Sequence, residues 1–444
     1  MSTTSESSLA HDDHLNEQTN SDDQIITNSN SNTQQAKSEI SSPSSSTSDR
    51  VNKNERASEA KNQGMIVPCE FVVYATLFFG LDFSRVIVGG GGGHGIPNKI
   101  MVMKFNYEEN SDKALTVECD HCTEGEVVWN LKFEMVNNTP FVVFTSLDKL
   151  HLLKYDFKEK NFTALDSKPL FSSSEELGKK ICDINSNGFV VANDDNNTLH
   201  VFHIENDQLE CIFEMKNVTK KNMSDLTLAN DENNTLGIVS EDKAIRILRM
   251  NKDRHYEEVF SSNIPNITQY PKQDVKHCLF PKNNNPNELL FYTLHTSRSS
   301  PTFVSNFKIE NGIVTLKSTR EFMKRPATAF SVLIGDDGKE YISFGVDGGI
   351  QLYKEGKHIG KKLNIHSEAI TCIDICKDPY QKQKDTSLKK KKQHVHVCSG
   401  SIDRSISVQH LNANKKISTS ILTYLLYILA LVVLILAVIY IKLK

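Results

Sequence analysis

SLDKLHLLKY (residues 146–155), NDDNNTLHVFHI (193–204), SEDKAIRILRM (240–250), GVDGGIQLYK (345–354) and GSIDRSISVQHL (400–411) repeat one pattern. Each opens with small, acidic or amide residues suited to a tight turn, then continues as a strand in which apolar and polar side chains alternate. With the apolar pairs Ile100/Val102, Leu150/Leu152, Leu199/Val201, Ile245/Ile247, Ile350/Leu352 and Ile406/Val408 as anchors, the spacings are 50, 49, 46, 105 and 56 residues. The gap of 105 has room for two units, and its missing hairpin falls on the degenerate stretch Phe303–Ile309. Units of this length predict an all-β, seven-bladed WD-type β-propeller over residues 65–411. HSEAITCIDI (366–375) opens the last blade, and the segment from about Ile66 to Tyr74 is expected to pair into that blade and close the ring.

Outside this region the composition changes sharply. Residues 1–64 are dominated by Ser, Asn, Thr, Gln, Asp and Glu and hold almost no aromatic residues, so they cannot bury enough apolar surface to offset the entropy of ordering. They read as a disordered tail, and the start has no basic segment followed by an apolar run of the secretory kind. Residues 412–420 read as a short linker. Ile421–Ile441 is an uncharged run rich in Leu, Ile, Val and Ala, and at 1.5 Å per residue it spans about 31 Å, the thickness of a bilayer core. It is expected to be a transmembrane helix, with residues 442–444 beyond it. Lys415 and Lys416 before it and Lys442 and Lys444 after it nearly balance, so orientation is argued from position: a sole span at the C-terminal end leaves everything before it in the cytosol.

The formal net charge of -4 provides no global basic field, and nucleic acid is not an expected partner. The nine cysteines are scattered through apparent strands, as in a reducing compartment. Cys119 and Cys122 form a C-x-x-C, but no second pair follows at zinc spacing, and free thiols are the reading adopted.

The first blade departs from the others. Where a short turn belongs, it carries VGGGGGHGIPNK (88–99), with five consecutive glycines. Glycine allows positive φ and lets backbone carbonyls converge on a hard cation, Ile96 and Pro97 present apolar surface on a rigid kink, and the Asn98 amide both donates and accepts. No G-K-[ST] ends the run and a strand follows it, so it is neither a Walker loop nor a dinucleotide fingerprint. A flexible insertion without a partner is the alternative.

The glycine run ending in GIPNK (Gly95, Ile96, Pro97, Asn98 and Lys99), the seven divergent blades and the apolar C-terminal span together resemble the prolactin regulatory element-binding protein family. These are the endoplasmic-reticulum exchange factors for the Sar-type GTPase of the COPII coat. The resemblance covers about residues 65–441, and the loop is its most specific part. It implies guanine-nucleotide exchange on a Sar-type GTPase at the endoplasmic-reticulum membrane, with the propeller in the cytosol. It also implies that Asn98 is central to exchange, that Ile96 and Pro97 contact the GTPase, and that Gly89, Gly90, Gly91, Gly92, Gly93 and Gly95 wrap a potassium ion. Compared with fungal members the stretch before GIPN is shorter here, with His94 directly preceding Gly95, and a lumenal domain like that of some relatives is not expected after the span. Such a factor makes and breaks no bonds, so the lack of a catalytic triad or carboxylate pair is expected. The competing reading is a membrane-tethered WD adaptor that binds the GTPase or coat without exchange.

Three smaller expectations complete the reading. Lys377–Gln393 holds seven lysines, with Lys389 to Lys392 in a row, and is either a solvated loop or a contact for anionic lipid headgroups. The sequons at Asn161, Asn217 and Asn266 are expected to carry no glycan if the region is cytosolic. Trp129, the only tryptophan, is expected to pack between blades.

Overall fold

The computed structural model describes residues 65–80, 82–93, 95–105, 115–170, 180–263, 273–281, 289–377 and 394–412. Within them lie seven four-stranded antiparallel sheets, arranged as a seven-bladed β-propeller. Blade one consists of β2 (Val72–Phe79), β3 (Arg85–Gly91), β4 (Lys99–Phe105) and β5 (Leu115–Cys122). Blade two is β6 (Asn130–Val136) to β9 (Asn161–Pro169), with β7 at Thr139–Thr145 and β8 at Lys149–Asp156. The inner strands of blades three to six are β10 (Cys182–Ile184), β14 (Met223–Leu228), β18 (Asp274–Leu279) and β22 (Ala329–Ile334). Blade seven joins β26 (Ile370–Lys377), β27 (His394–Ser401) and β28 (Ser405–Asn412) to β1 (Met65–Pro68), the first strand of the chain.

The ring therefore closes as the repeat pattern predicts, but on a shorter strand. Met65 to Pro68 pair with Val408 to Ser405, and the Cys69 N–H makes the last rung to the Arg404 carbonyl at 2.6 Å. The chain then turns through fully buried Phe71, and Val72 and Val73 already pair with Gly91 and Gly90 in blade one. The segment Ile66–Tyr74 is thus split between two blades, because a closing strand and the next inner strand cannot share residues. The degenerate fifth hairpin is real: Thr302–Glu310 forms β20, which pairs with β19 (Leu289–Thr296) and β21 (Ile313–Met323).

The core is divided. Seven apolar clusters each straddle two neighbouring blades, such as Ala75, Leu77 and Phe79 of blade one against Leu131, Val142 and Phe144 of blade two. Inner strands are also stitched to one another. Asp374 accepts the Phe78 N–H at 2.9 Å, Asp183 that of Leu228 at 2.8 Å, and Asp225 that of Cys278 at 3.2 Å. Each carboxylate sits on the inner strand of one blade and binds the inner strand of the next, and charge-assisted bonds of this kind are about twice as strong as neutral ones.

Strand direction sorts the connections onto two faces. The β3–β4 loop, the β5–β6 connection, the β7–β8 turn and the β27–β28 turn lie on one face, called upper here. Met65, Asn412, and Lys377 and His394, which flank the lysine run, lie at the lower ends of their strands. Among the described residues no helix is long and apolar enough to cross a membrane. The tail 1–64, the linker, the span Ile421–Ile441 and Lys389–Lys392 lie outside the described residues.

Candidate functional site

Of the five consecutive glycines, three are strand residues. Gly89 and Gly90 pair with Ile100 and Lys99 of β4 and with Ala75 and Val73 of β2, and Gly91 pairs with Val72. A Cβ on Gly90 would lie 1.9 Å from the Val72 carbonyl oxygen, and one on Gly89 would lie 2.7 Å from Val128 Cγ1. Here glycine is demanded by close packing. The projecting part of the loop is Gly92 to Asn98, in which Gly93 and Gly95 are exposed and a Cβ on either would meet nothing. His94 lies outside the described residues.

Asn98 braces this loop. Its Oδ1 accepts the Gly92 N–H at 2.9 Å, its Nδ2 donates to the Gly125 carbonyl at 2.6 Å, and its own carbonyl accepts the Thr123 N–H at 3.1 Å. The side chain is buried, with its amide oxygen and its amide nitrogen each hydrogen-bonded. Gly125 can serve as the anchor because the turn Thr123–Glu126 runs through the left-handed region at Glu124 (φ 52°) and Gly125 (φ 93°), conformations in which glycine is favoured. Ile96 is half-buried against the apolar cluster between blades seven and one, and Pro97 is half-buried beside it.

The anchor turn is itself tied to blade two. Glu126 accepts from Lys149 Nζ at 2.8 Å and from His151 Nε2 at 2.7 Å, and His151 stacks on Phe144 with ring centroids 4.3 Å apart. Burial would raise the Glu126 carboxyl, but the Lys149 and Ser146 hydrogen bonds and the nearby imidazole hold it below the usual carboxylate range. Burial also holds His151 below the ordinary imidazole value against the pull of Glu126, so at neutral pH the ring donates as a neutral Nε2–H.

Beside this turn, Trp129 packs across the blade boundary, as expected, onto Tyr74 of blade one, with ring centroids 4.9 Å apart and planes tilted by 35°, yet it is 38 % exposed and lines the mouth of the central channel. The exposure has a local reason: its backbone N–H is held by the Thr145 carbonyl at 3.0 Å, and Val128 fills the buried position between the blades. Leu147, 49 % exposed, stands next to it on the β7–β8 turn. Lys180 holds that turn from below: it donates to the Leu147 carbonyl at 2.6 Å and pairs with Asp195 at 2.8 Å, with both charged side chains buried.

The channel encloses about 1120 Å³ and is lined by polar and apolar groups from every inner strand. Lys132 reaches Asp183 at 3.8 Å; burial alone would lower its ammonium, but the carboxylates of Asp183 and Asp225 outweigh it and raise the value. Among the described residues no group of three or more His, Cys, Asp or Glu could hold a metal ion. Cys119 and Cys122, three residues apart on β5, point to opposite sides of the strand and are free thiols. Of the glycines named for a potassium ion, Gly89, Gly90 and Gly91 belong to the strand ladder, and Gly92, Gly93 and Gly95 lie outside it.

Neither a protein-family model nor a curated protein matches the chain. Among solved structures it is similar to the Raptor protein of Chaetomium thermophilum, at 12 % identity and a TM-score of 0.54. The likeness is one of fold. It covers 83 % of this chain and 31 % of that one, so this chain spans about a third of the length of its structural neighbour.

Sequence reasoning named Ile96, Pro97, Asn98 and the glycines, and the structure brings them together with groups it missed: Tyr74, Gly125, Glu126, Leu147 and Lys180. A lone tryptophan was the one available signal for the Trp129 cluster. Nothing in the sequence flags Lys180.

Proposed function

We propose that the chain is a guanine-nucleotide exchange factor for a Sar-type GTPase, tethered to the endoplasmic-reticulum membrane by Ile421–Ile441 with the propeller in the cytosol, where it loads the GTPase to start COPII assembly. The observation that carries this reading is the loop Gly92–Asn98, projecting from blade one while braced through Asn98 to Gly92 and Gly125. Both described chain ends, Met65 and Asn412, lie on the lower face, so a tether at the C-terminal end leaves the loop on the face turned away from it. Lysines 389–392 connect strands whose described ends are also on that lower face, which suits contact with anionic headgroups.

Exchange needs no proton transfer. A tightly held nucleotide leaves quickly when a partner binds the empty GTPase better than the loaded one, and the two affinities are reciprocally coupled. Each tenfold loss of nucleotide affinity requires about 1.4 kcal/mol of such preference. A braced loop suits this role because little order has to be created on binding. A potassium ion held by the carbonyls of Gly92, Gly93 and Gly95 would supply further rigidity to the same loop.

The second reading, an adaptor without exchange, is favoured by one observation: the Asn98 amide is spent on internal hydrogen bonds. Release of fluorescent GDP from a Sar-type GTPase, measured with the full chain and its Asn98→Ala variant in potassium and in sodium buffer, separates the two. Acceleration that is lost in the variant is expected. Binding without acceleration by the unaltered chain would leave the adaptor.

A further inference from the structure

The upper face beside the glycine loop carries an apolar surface that the loop motif does not account for. Trp129, Tyr74 and Leu147 stand together at the mouth of the channel, and the Trp129 and Leu147 side chains are respectively 38 % and 49 % exposed. Large apolar side chains gathered at one exposed spot mark a contact surface more often than isolated ones do. Trp and Tyr are also the residues that most often dominate binding energy.

This surface is held in place by polar groups on every side. The Tyr74 ring packs at a tilt against Trp129, and the Thr145 carbonyl fixes the Trp129 backbone. The Lys180–Asp195 pair, with side chains only 3 % and 6 % exposed, grips the Leu147 carbonyl from below. Burying such a pair costs desolvation that its own attraction only partly returns, so a buried charge pair beneath an exposed leucine is a costly arrangement for a solvated turn. The surface is also continuous with the loop. Asn98 bonds to Gly125, Glu126 of the same turn binds Lys149 and His151, and these flank Leu147 across the β7–β8 turn. Its border is acidic: Glu70 and Glu124 are exposed and Asp148 is half-exposed, while the lysines around it, Lys99, Lys132, Lys149 and Lys180, are each engaged by carboxylates.

We propose that Tyr74, Trp129 and Leu147 form a second docking element for the GTPase of the preceding section, selecting a partner surface with an apolar centre and a basic border while the glycine loop acts on the nucleotide. The inference rests on that functional reading for the identity of the partner. In this arrangement blade two supplies affinity and specificity, and blade one supplies the exchange element.

Because Trp129 is the only tryptophan, the full chain labelled with 5-fluorotryptophan has a single ¹⁹F resonance that reports this spot alone. Adding nucleotide-free Sar-type GTPase to the labelled chain in detergent is expected to shift that resonance. Trp129→Ala and Leu147→Asp are each expected to weaken binding tenfold or more, the second with melting temperature unchanged because Leu147 is half-exposed, and Trp129→Phe, which keeps a ring against Tyr74, is expected to restore most of the first loss. Raising salt should slow association, as an acidic border meeting a basic one requires. If the unaltered chain accelerates GDP release while the resonance stays still and both variants bind normally, the docking element is overturned and the exchange reading stands. If the unaltered chain neither binds the GTPase nor accelerates release, both fall together.

Discussion

Blades one and seven turn the same upper corner in opposite ways. In blade seven the turn between β27 and β28 is three residues, Ile402 to Arg404, and it is sealed from within. Asp403 accepts from the Ser405 hydroxyl at 2.5 Å and from the Ser367 N–H at 2.7 Å, while His366 spans Ser405 at 2.6 Å and Ser399 at 2.8 Å. In blade one the corresponding connection runs from Gly92 to Asn98, and a single side chain, Asn98, closes it. The sealed corner directs its polar groups at the propeller itself. The open corner keeps one brace and leaves a stretch of backbone for something else, which is how a repeat can hold its fold and still carry a site.

The contrast is broken most severely at the base of the open corner. Gly90→Ala would push a methyl against the Val72 carbonyl in the middle of a three-strand ladder, and a loss of about 3 kcal/mol or more is expected in chemical denaturation. A smaller loss would mean that β2 can move aside and that glycine is not required there. Next comes the sealed corner. Asp403→Ala removes the acceptor of the buried Ser405 hydroxyl and of the exposed Ser367 N–H and should cost about 2 kcal/mol, with faster amide exchange concentrated at Ser367 and Ser405.

Acid should tell the corners apart. Burial lowers the His366 imidazole below its ordinary value, and it lowers that of His295, in blade five, to about 4. A histidine whose folded value is depressed stabilises the fold only above its unfolded value, near 6.5; stability falls as pH drops through that value and goes on falling until the folded value is reached. For His295 alone this amounts to about 2 kcal/mol lost between pH 7 and pH 5, and His295→Gln should flatten that part of the curve. Hydrogen exchange at pH 5 should open the corner of blade seven, where His366 is itself a brace, before that of blade one, whose direct brace is the Asn98 amide and whose histidine, His151, holds only the anchor turn behind it. Equal opening at the two corners would contradict the account of His366. The smallest effect belongs to Gly93→Ala, where the new methyl meets nothing, and stability should stay within about 0.5 kcal/mol of the original. Exchange activity of that variant then tests the loop without disturbing the ring.

Much of the ring was legible beforehand because period-two alternation and turn residues are local signals. Even the degenerate hairpin at Phe303–Ile309 was recoverable, since a spacing of 105 residues leaves room for two units. The closing strand is shorter than the sequence suggests, because Ile66–Tyr74 is apolar apart from Glu70 and nothing local says that Phe71 is the pivot between blades. At the site, the residue types of the loop were legible but not their division of labour. A run of five glycines reads as one flexible piece, and the structure divides it into packed strand and free loop.

The sequence by itself determined the class of the fold, the number of blades and the oddity of blade one, because those depend on periodicity, spacing and the backbone freedom of glycine. Only the tertiary structure decided that Asn98 is a brace, that Trp129 stands at the mouth of the channel and that Lys180 supports Leu147. Those facts depend on hydrogen bonds such as that between Lys180 and Leu147, which join residues 33 positions apart in the chain. No local pattern encodes such a bond, since its partners meet only once blades two and three pack together.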